Sequence, residues 1–385
     1  MKYIDEYRDG ALAKDIAKRI AAEARPGETY HFMEFCGGHT HAISRYGLED
    51  MLPENVEMIH GPGCPVCVLP VGRIDAAIAL ALRPGITLCT YGDLMRVPGS
   101  SGSSLLKAKA AGADIRMVYS TLDALRIAEA EPDREVVFFA IGFETTTPPT
   151  ALALKAAIAK ELKNFSIFCN HVLTPAAIQT ILESPDVAKM GTIKIDGFVG
   201  PAHVSTVIGT RPYDAFAEGF RKPVVIAGFE PLDVIQAILM LLRQVNDGRH
   251  EVENQYIRAV TPFGNEKAQA EVATYFEERE SFEWRGLGEV QHGALRLRPQ
   301  YARFDAETRF AMVTPEARDN PGCECGAILR GVKKPVECKL FGTLCTPDTP
   351  MGSCMVSSEG ACAAHWTYGR FRENARQTDA GRAVA

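Results

Sequence analysis

Six of the chain's eleven cysteines fall between Cys323 and Cys362, in a segment dominated by Gly, Pro and Thr (PGCECGAILRGVKKPVECKLFGTLCTPDTPMGSCMVSSEGAC). Nothing in that segment has the apolar periodicity that builds a core. Whatever the thiolates bind must organise the fold there. Paired C-x-x-C knuckles, the usual zinc arrangement, are absent from it, and six thiols exceed four ligand positions. A [4Fe–4S] cluster held by four thiolates, with a disulfide beside it, would use all six.

The rest of the chain is ordinary by composition. It has 385 residues, 46% of them hydrophobic and 23% charged, with a net charge of −6. That length gives two or three domains with real cores. A mildly acidic chain without basic runs argues against nucleic acid as a partner. The N-terminal stretch MKYIDEYRDGALAKDIAKRI reads as a charged amphipathic helix with no signal-peptide core. The longest apolar run, VIQAILMLL (234–242), is far shorter than the ~18 residues a membrane span needs, so no membrane is expected and the location expected is cytoplasmic. In a reducing cytosol clustered cysteines read as ligands or exchanging thiols rather than as a disulfide framework. Cys89 and Cys169, inside apolar runs, read as small buried hydrophobes.

Eight short apolar runs alternate with Ala-rich helical patterns: 31–35, 56–61, 86–92, 115–120, 135–143, 165–171, 195–200 and 223–229. Such alternation predicts an α/β fold with parallel sheets covered by helices. The runs are Val/Ile/Phe-rich without strict alternation, as strands buried on both faces should be. They divide into two consecutive sets of four near 129–135. The expected domains are therefore 27–130 and 131–255, with a mixed, irregular third region formed by 256–385 and the N-terminal residues 1–26.

The unusual polar residues fall just after strands, where open α/β sheets bind ligands. In CGGHTH (36–41), Cys36 would cap a helix whose N-terminus favours the thiolate. Gly37 and Gly38 allow positive φ or close approach. His39 and His41 add imidazoles, making a nucleophile with a base or ligands for a thiophilic metal. In GPGCPVC (61–67), stiff turns around Cys64 and Cys67 favour a reversible disulfide over half a zinc site, and no phosphate-loop pattern is present. Glu144, ahead of three threonines in GFETTTPP, either positions a polar ligand or precedes hydroxyls that merely cap a helix. His203 in GPAHVS suits a ligand or proton-transfer role, with a structural histidine as the alternative. His60, His250, His292 and His365 read as structural.

Together, CGGHTH, GPGCPVC, GFETTTP (142–148), GPAHVS (200–205) and the six-cysteine tail ending in MVSSEGAC (355–362) resemble the hydrogenase maturation factor HypD family nearly end to end. The resemblance implies two Rossmann-like α/β domains and a third domain with a [4Fe–4S] cluster. It implies a scaffold on which the Fe(CN)2CO group of [NiFe]-hydrogenases is assembled, with redox activity rather than conventional turnover. The iron would be held by Cys36 and a cysteine of a HypC-type chaperone, with His39, His41 and His203 nearby. Cyanide would come from a thiocyanate on a HypE-type donor, and its release needs two electrons. The cluster environment is similar to that of ferredoxin:thioredoxin reductase. By that analogy Cys323, Cys338, Cys345 and Cys362 hold the cluster, and Cys325 pairs with Cys354 as a redox disulfide. Electrons would then pass towards Cys64/Cys67 and Cys36, with Glu144 and His203 also counted among the catalytic residues. The competing expectation is an iron–sulfur thiol–disulfide reductase with Cys64/Cys67 as its active pair. A third, a zinc-stapled binding module, predicts a colourless protein.

Overall fold

The computed structural model describes residues 2, 4–190 and 194–369. Residues 1, 3 and 191–193, and the last part of the 256–385 region, lie outside the described residues. All eight expected strands form: β1 (Tyr30–Glu34), β2 (Val56–His60), β3 (Ile86–Thr90), β4 (Asp114–Met117), β5 (Glu135–Gly142), β6 (Phe165–His171), β7 (Gly197–Pro201) and β8 (Val224–Ala227). A ninth, β9 (Val252–Asn254), joins them. Every pairing among these nine is parallel. The architecture is α/β, with an irregular C-terminal region.

The strands do not form two consecutive sets of four. One sheet runs β2-β1-β7-β8-β9, and the other runs β4-β3-β5-β6. The chain starts one sheet, leaves to build the whole of the second, and returns. The expected division into 27–130 and 131–255 therefore cuts across both sheets. Local patterning names a strand but not its neighbour: Phe32 of β1 lies opposite Gly197 of β7, far along the chain.

The sandwich of helix on sheet shows in the strand faces. In β5, Val136, Phe138 and Ala140 enter one apolar cluster, while Val137, Phe139 and Ile141 enter another. Both sets are fully or nearly fully buried, which explains the unbroken apolar run.

The N-terminal helix α1 (Gly10–Glu23) also departs from expectation. Its buried stripe, Ala13, Ile16, Ala17 and Ile20, packs with Ile235, Ile238 and Leu242 of the helix Pro231–Asn246 over the first sheet. Arg8 pairs with Glu230 and Arg243 with Glu23, clasping the two helices along their flanks. Helix α1 thus covers the first sheet rather than joining the cysteine region, because its apolar stripe matches the buried face of the helix Pro231–Asn246.

Beyond β9 two antiparallel ribbons form, β10 (Phe276–Glu278) with β13 (Leu295–Leu297) and β11 (Ser281–Trp284) with β12 (Gly288–Gln291). Phe276, Leu295 and Leu297 pack beside Phe165 and Ile167 of β6. After them the cysteine tail has only short turns of helix, such as Cys325–Leu329 and Ala361–Ala364.

Candidate metal and thiol site

Strand order creates the site. In the first sheet, β1 and β7 are neighbours whose chains leave in opposite directions, to β2 and to β8. In the second sheet the same reversal lies between β3 and β5. Crevices form at such switch points, beyond the carboxyl ends of the strands. Here the two crevices face each other. Cys36 and His203, following β1 and β7, line one cleft with Tyr91, Asp93, Thr145 and Thr146, following β3 and β5. The cleft holds about 190 Å³. Glu359 of the tail closes one side of it.

Cys36 ends the extended chain at φ −148° and caps helix α2 (Gly37–Tyr46). It is buried, and its Sγ lies 3.7 Å from Nδ1 of His203. Burial, then the carboxylate of Glu359, push the thiol up to about 12, against the pull of the Gly38 N–H. The expected lowering by the helix N-terminus is therefore outweighed by desolvation. A bound cation would reverse that balance, since a coordinated thiol loses its proton.

Beneath Cys36 sits a buried polar network that the sequence reading missed. Glu34, wholly buried, accepts from the Cys36 N–H at 2.8 Å, from the Thr40 hydroxyl, and from His60 Nδ1 at 3.0 Å. Glu34 and His60 are register partners on β1 and β2. Burial disfavours the charged His60 ring, but the Glu34 hydrogen bond and charge outweigh it and raise its pKa. The available signal was a lone glutamate inside a strand otherwise buried on both faces, which demands a partner.

The two glycines are there for close approach, not for positive φ, which neither adopts. A Cβ on Gly37 would meet the Glu359 side chain at 2.3 Å, and one on Gly38 the Phe229 ring at 2.5 Å. A Cβ on Gly63 would meet the Cys36 nitrogen at 2.4 Å. The GPGCPVC loop thus lies directly on the Cys36 turn, and the Gly37 N–H donates to Gly63 O at 2.9 Å.

The histidines separate. His203 is exposed at the cleft mouth, its ring 4.0 Å from that of Phe229, and desolvation by the walls, then neighbouring His39, lower its pKa. His39 is fully buried, and its Nε2–H donates to Ala227 O at 2.9 Å and Gly228 O at 3.0 Å, pegging α2 to the end of β8. His41 lies two residues on, around the helix, with its ring edge-on to Tyr368 of the tail. Of the three, only His203 is brought to the Cys36 sulfur.

Glu144 is buried elsewhere. It accepts from the Thr174 N–H at 2.8 Å and hydroxyl at 3.1 Å, tying the end of β5 to the start of the helix Thr174–Glu183 that follows β6, and burial pushes its pKa up to about 7. Its neighbours Thr146 and Thr147 turn their hydroxyls back to Phe143 O rather than capping the helix Thr147–Ala159.

Cys64 and Cys67 are joined by a disulfide, with Cα atoms 5.2 Å apart. Cys64 caps the single turn α3 (Pro65–Val68) and Cys67 lies within it, and both are buried, with 3% and 0% exposure. The turn touches the tail: Ser353 Oγ donates to Cys67 O at 2.9 Å. The next residue, Cys354, brings its N–H 3.4 Å from Cys325 Sγ. Cys325 lies beside both Cys323 and Cys354, and all six tail cysteines are free thiols. Cys323, Cys325, Cys338, Cys345 and Cys362 line one small pocket with Ile328, Leu340 and Phe341. Among the described residues, no three His, Cys, Asp or Glu converge on the position of one metal ion. The pocket's all-thiol, apolar lining suits a polynuclear iron–sulfur group, whose ligands spread more widely than those of single zinc. A Cβ on Gly352 would meet Cys323 Sγ at 2.4 Å, so only glycine fits this wall.

Cys89 and Cys169 are buried core residues, their thiols pushed up to about 12 and about 11 by desolvation. His250 and His292 lie outside the cleft, and His60 serves it only through Glu34. No helix among the described residues is long and apolar enough to cross a membrane.

Comparison with known proteins agrees with this layout. The family model for HypD, described as "Hydrogenase formation hypA family", matches residues 11–369. The hydrogenase maturation factor HypD of Rhizobium leguminosarum bv. viciae is 86% identical over 385 residues, covering 100% of both chains. The HypD proteins of Cupriavidus necator and Escherichia coli (strain K12) are 69% and 48% identical, covering 97% and 96% of this chain and 98% of each of theirs. Family match, near-complete relatives and a fold that gathers the motif residues lead to one assignment: the chain belongs to the HypD family of hydrogenase maturation factors.

Proposed function

We propose that the chain is the scaffold on which the Fe(CN)2CO moiety is assembled, with Cys36 as the protein thiolate that takes the iron. The observation that carries this reading is the meeting of two switch-point crevices at Cys36, with His203 Nδ1 3.7 Å from its sulfur. A HypC-type chaperone would supply a second thiolate from the open side of the cleft, and a HypE-type donor would deliver cyanide there. His203, its pKa lowered, is neutral at pH 7 and can accept the Cys36 proton as iron arrives. Glu359 and Asp93 at the walls then face a cation rather than a thiol.

Cyanide bound as a thiocyanate must be released reductively. A dithiol supplies the two electrons: R–S–C≡N plus two cysteine thiols give R–SH, HCN and a disulfide. Cys64 and Cys67, in the loop whose Gly63 O accepts from the Gly37 N–H, would carry out this step, and the Cys64–Cys67 disulfide would be its oxidised product. Regeneration would run through Cys325 and Cys354, which reach α3 by way of Ser353. Cys323, Cys338, Cys345 and Cys362 would hold a [4Fe–4S] cluster, which supplies electrons one at a time.

A thiol–disulfide reductase working through Cys64 and Cys67 gives no role to the Cys36–His203 pair, whereas the scaffold reading does, and this favours the scaffold. Infrared spectra of the anaerobically purified protein bound to its chaperone test it: cyanide and carbonyl bands, lost in Cys36→Ala, are expected, and no bands in the wild type would sink the scaffold. For the relay, Cys64→Ala should abolish cyanide transfer while iron stays bound, and undiminished transfer would remove the dithiol from the path.

A further inference from the structure

A second pocket, of about 650 Å³, lies behind the cysteine tail and shares Gly352 with the thiol-lined cavity. One wall is the loop Pro98–Ser104 (PGSSGSS), and the others come from the ribbon turn after β11 and from the tail. Four cationic side chains face it, Arg96, Lys107, Arg285 and Arg318, against two carboxylates, Asp319 and Asp348.

Arg285 is the telling residue. It is 3% exposed, yet its Nη2 has no hydrogen-bond partner. Its Nε lies 3.3 Å from Asp319 Oδ1, out of line for a hydrogen bond. Asp319 is itself exposed, so it neutralises the buried charge weakly. The backbone fixes Arg285 in place, its N–H donating to Val68 O at 2.7 Å beside α3. A buried guanidinium with open donors is costly unless an acceptor meets it. Its planar fork suits the paired oxygens of a carboxylate or phosphate. Other arginines of the core show the contrast. Arg73, equally buried, is met by Asn170, Glu307, Thr314 and the carbonyl of Cys169.

We propose that this pocket is a binding site for a small molecule bearing an oxyanion, carboxylate or phosphate, with Arg285 as its buried counter-charge and Lys107 and Arg318 at its rim. Its volume is that of a small-metabolite site, not of a single ion. The serine-rich loop forms the facing wall. The site is separate from the Cys36 cleft, so it stands or falls independently of the scaffold reading.

Calorimetric titration of the full chain, at constant ionic strength, tests it with inorganic phosphate, pyrophosphate and citrate as probes. Saturable binding of at least one is expected, weakened at least ~tenfold in Arg285→Gln. The double variant Lys107→Ala/Arg318→Ala, whose changes are on the exposed rim, should weaken it about threefold or more without disturbing the fold. Preference for phosphates or for citrate identifies the headgroup. If no probe binds the wild type up to ~10 mM, or binding is the same in the rim variant, the proposal is overturned.

Discussion

The Cys36 turn and the cysteine tail are both built around thiols, and they are held in opposite ways. Around Cys36 the protein supplies its own framework: two sheets, the Glu34 network, the His39 peg and three glycines in van der Waals contact. The tail has helical pieces of three to five residues and depends on thiols lining one pocket. The first site is fixed by the protein's own packing and hydrogen bonds. The second has little besides its thiols to fix it. On the proposed reading, a scaffold that hands its iron on needs an empty form that keeps its shape, whereas a resident electron carrier could be part of the fold itself.

Breaking the tail tests the comparison most severely. If the tail holds the proposed cluster, removing it by chelation or in Cys338→Ser should raise proteolysis within 321–369 at least ~tenfold while far-UV circular dichroism of the sheets persists. Simultaneous loss of both would show that the Cys36 framework is not independent. Next in size is Glu34→Gln, which leaves three donors competing for one oxygen and should cost about 2–4 kcal/mol in urea unfolding. It carries a pH signature. His60 has a raised pKa when folded, so its contribution is complete below the unfolded value near ~6.5 and is lost as pH rises through the folded one. Stability should therefore decline over that window in the wild type and not in the variant.

Gly38→Ala, forced against Phe229, should cost about 1–3 kcal/mol, whereas Gly10→Ala, with nothing within 4 Å, should be neutral or slightly stabilising. Equal costs would mean that the close packing around Cys36 is not real. The smallest effect expected is electrostatic. Glu359→Gln removes the carboxylate that, after burial, most raises the Cys36 thiol, and alkylation of the metal-free protein at pH 8 should quicken roughly two- to fivefold. An unchanged rate would place Glu359 outside the field of Cys36.

Much of this was legible in the chain because it is encoded locally. A buried parallel strand announces itself within seven residues, and the chemistry followed strands β1, β2, β5 and β7 as the fold class requires. What escaped was everything set by long-range pairing. Strand neighbours depend on which apolar faces fit, so the interleaved sheets were invisible, and so was the partner of α1, 220 residues away at Arg243. Glu34 and Glu359 escaped for a related reason: a carboxylate's role is fixed by what approaches it in space. His41 shows the converse error, since proximity in sequence put it beside His39 while the helix turned it away.

The interleaving of the sheets has a consequence for biosynthesis. A chain emerging N-terminus first completes β3 to β6 by residue 171, whereas β1 and β2 wait for β7 to β9, finished only at residue 254. Nascent β1–β2 therefore passes through a stage with an unpaired apolar edge while the younger sheet is already closed. Chains stalled on the ribosome at residue ~215, with β6 outside the exit tunnel and β7 still inside it, should resist protease across 86–171 and be cut before residue 60. The oldest part of the polypeptide, which carries Cys36, thus completes its sheet after the younger β3–β6 sheet, and Cys36 meets His203 only once β7 has been made.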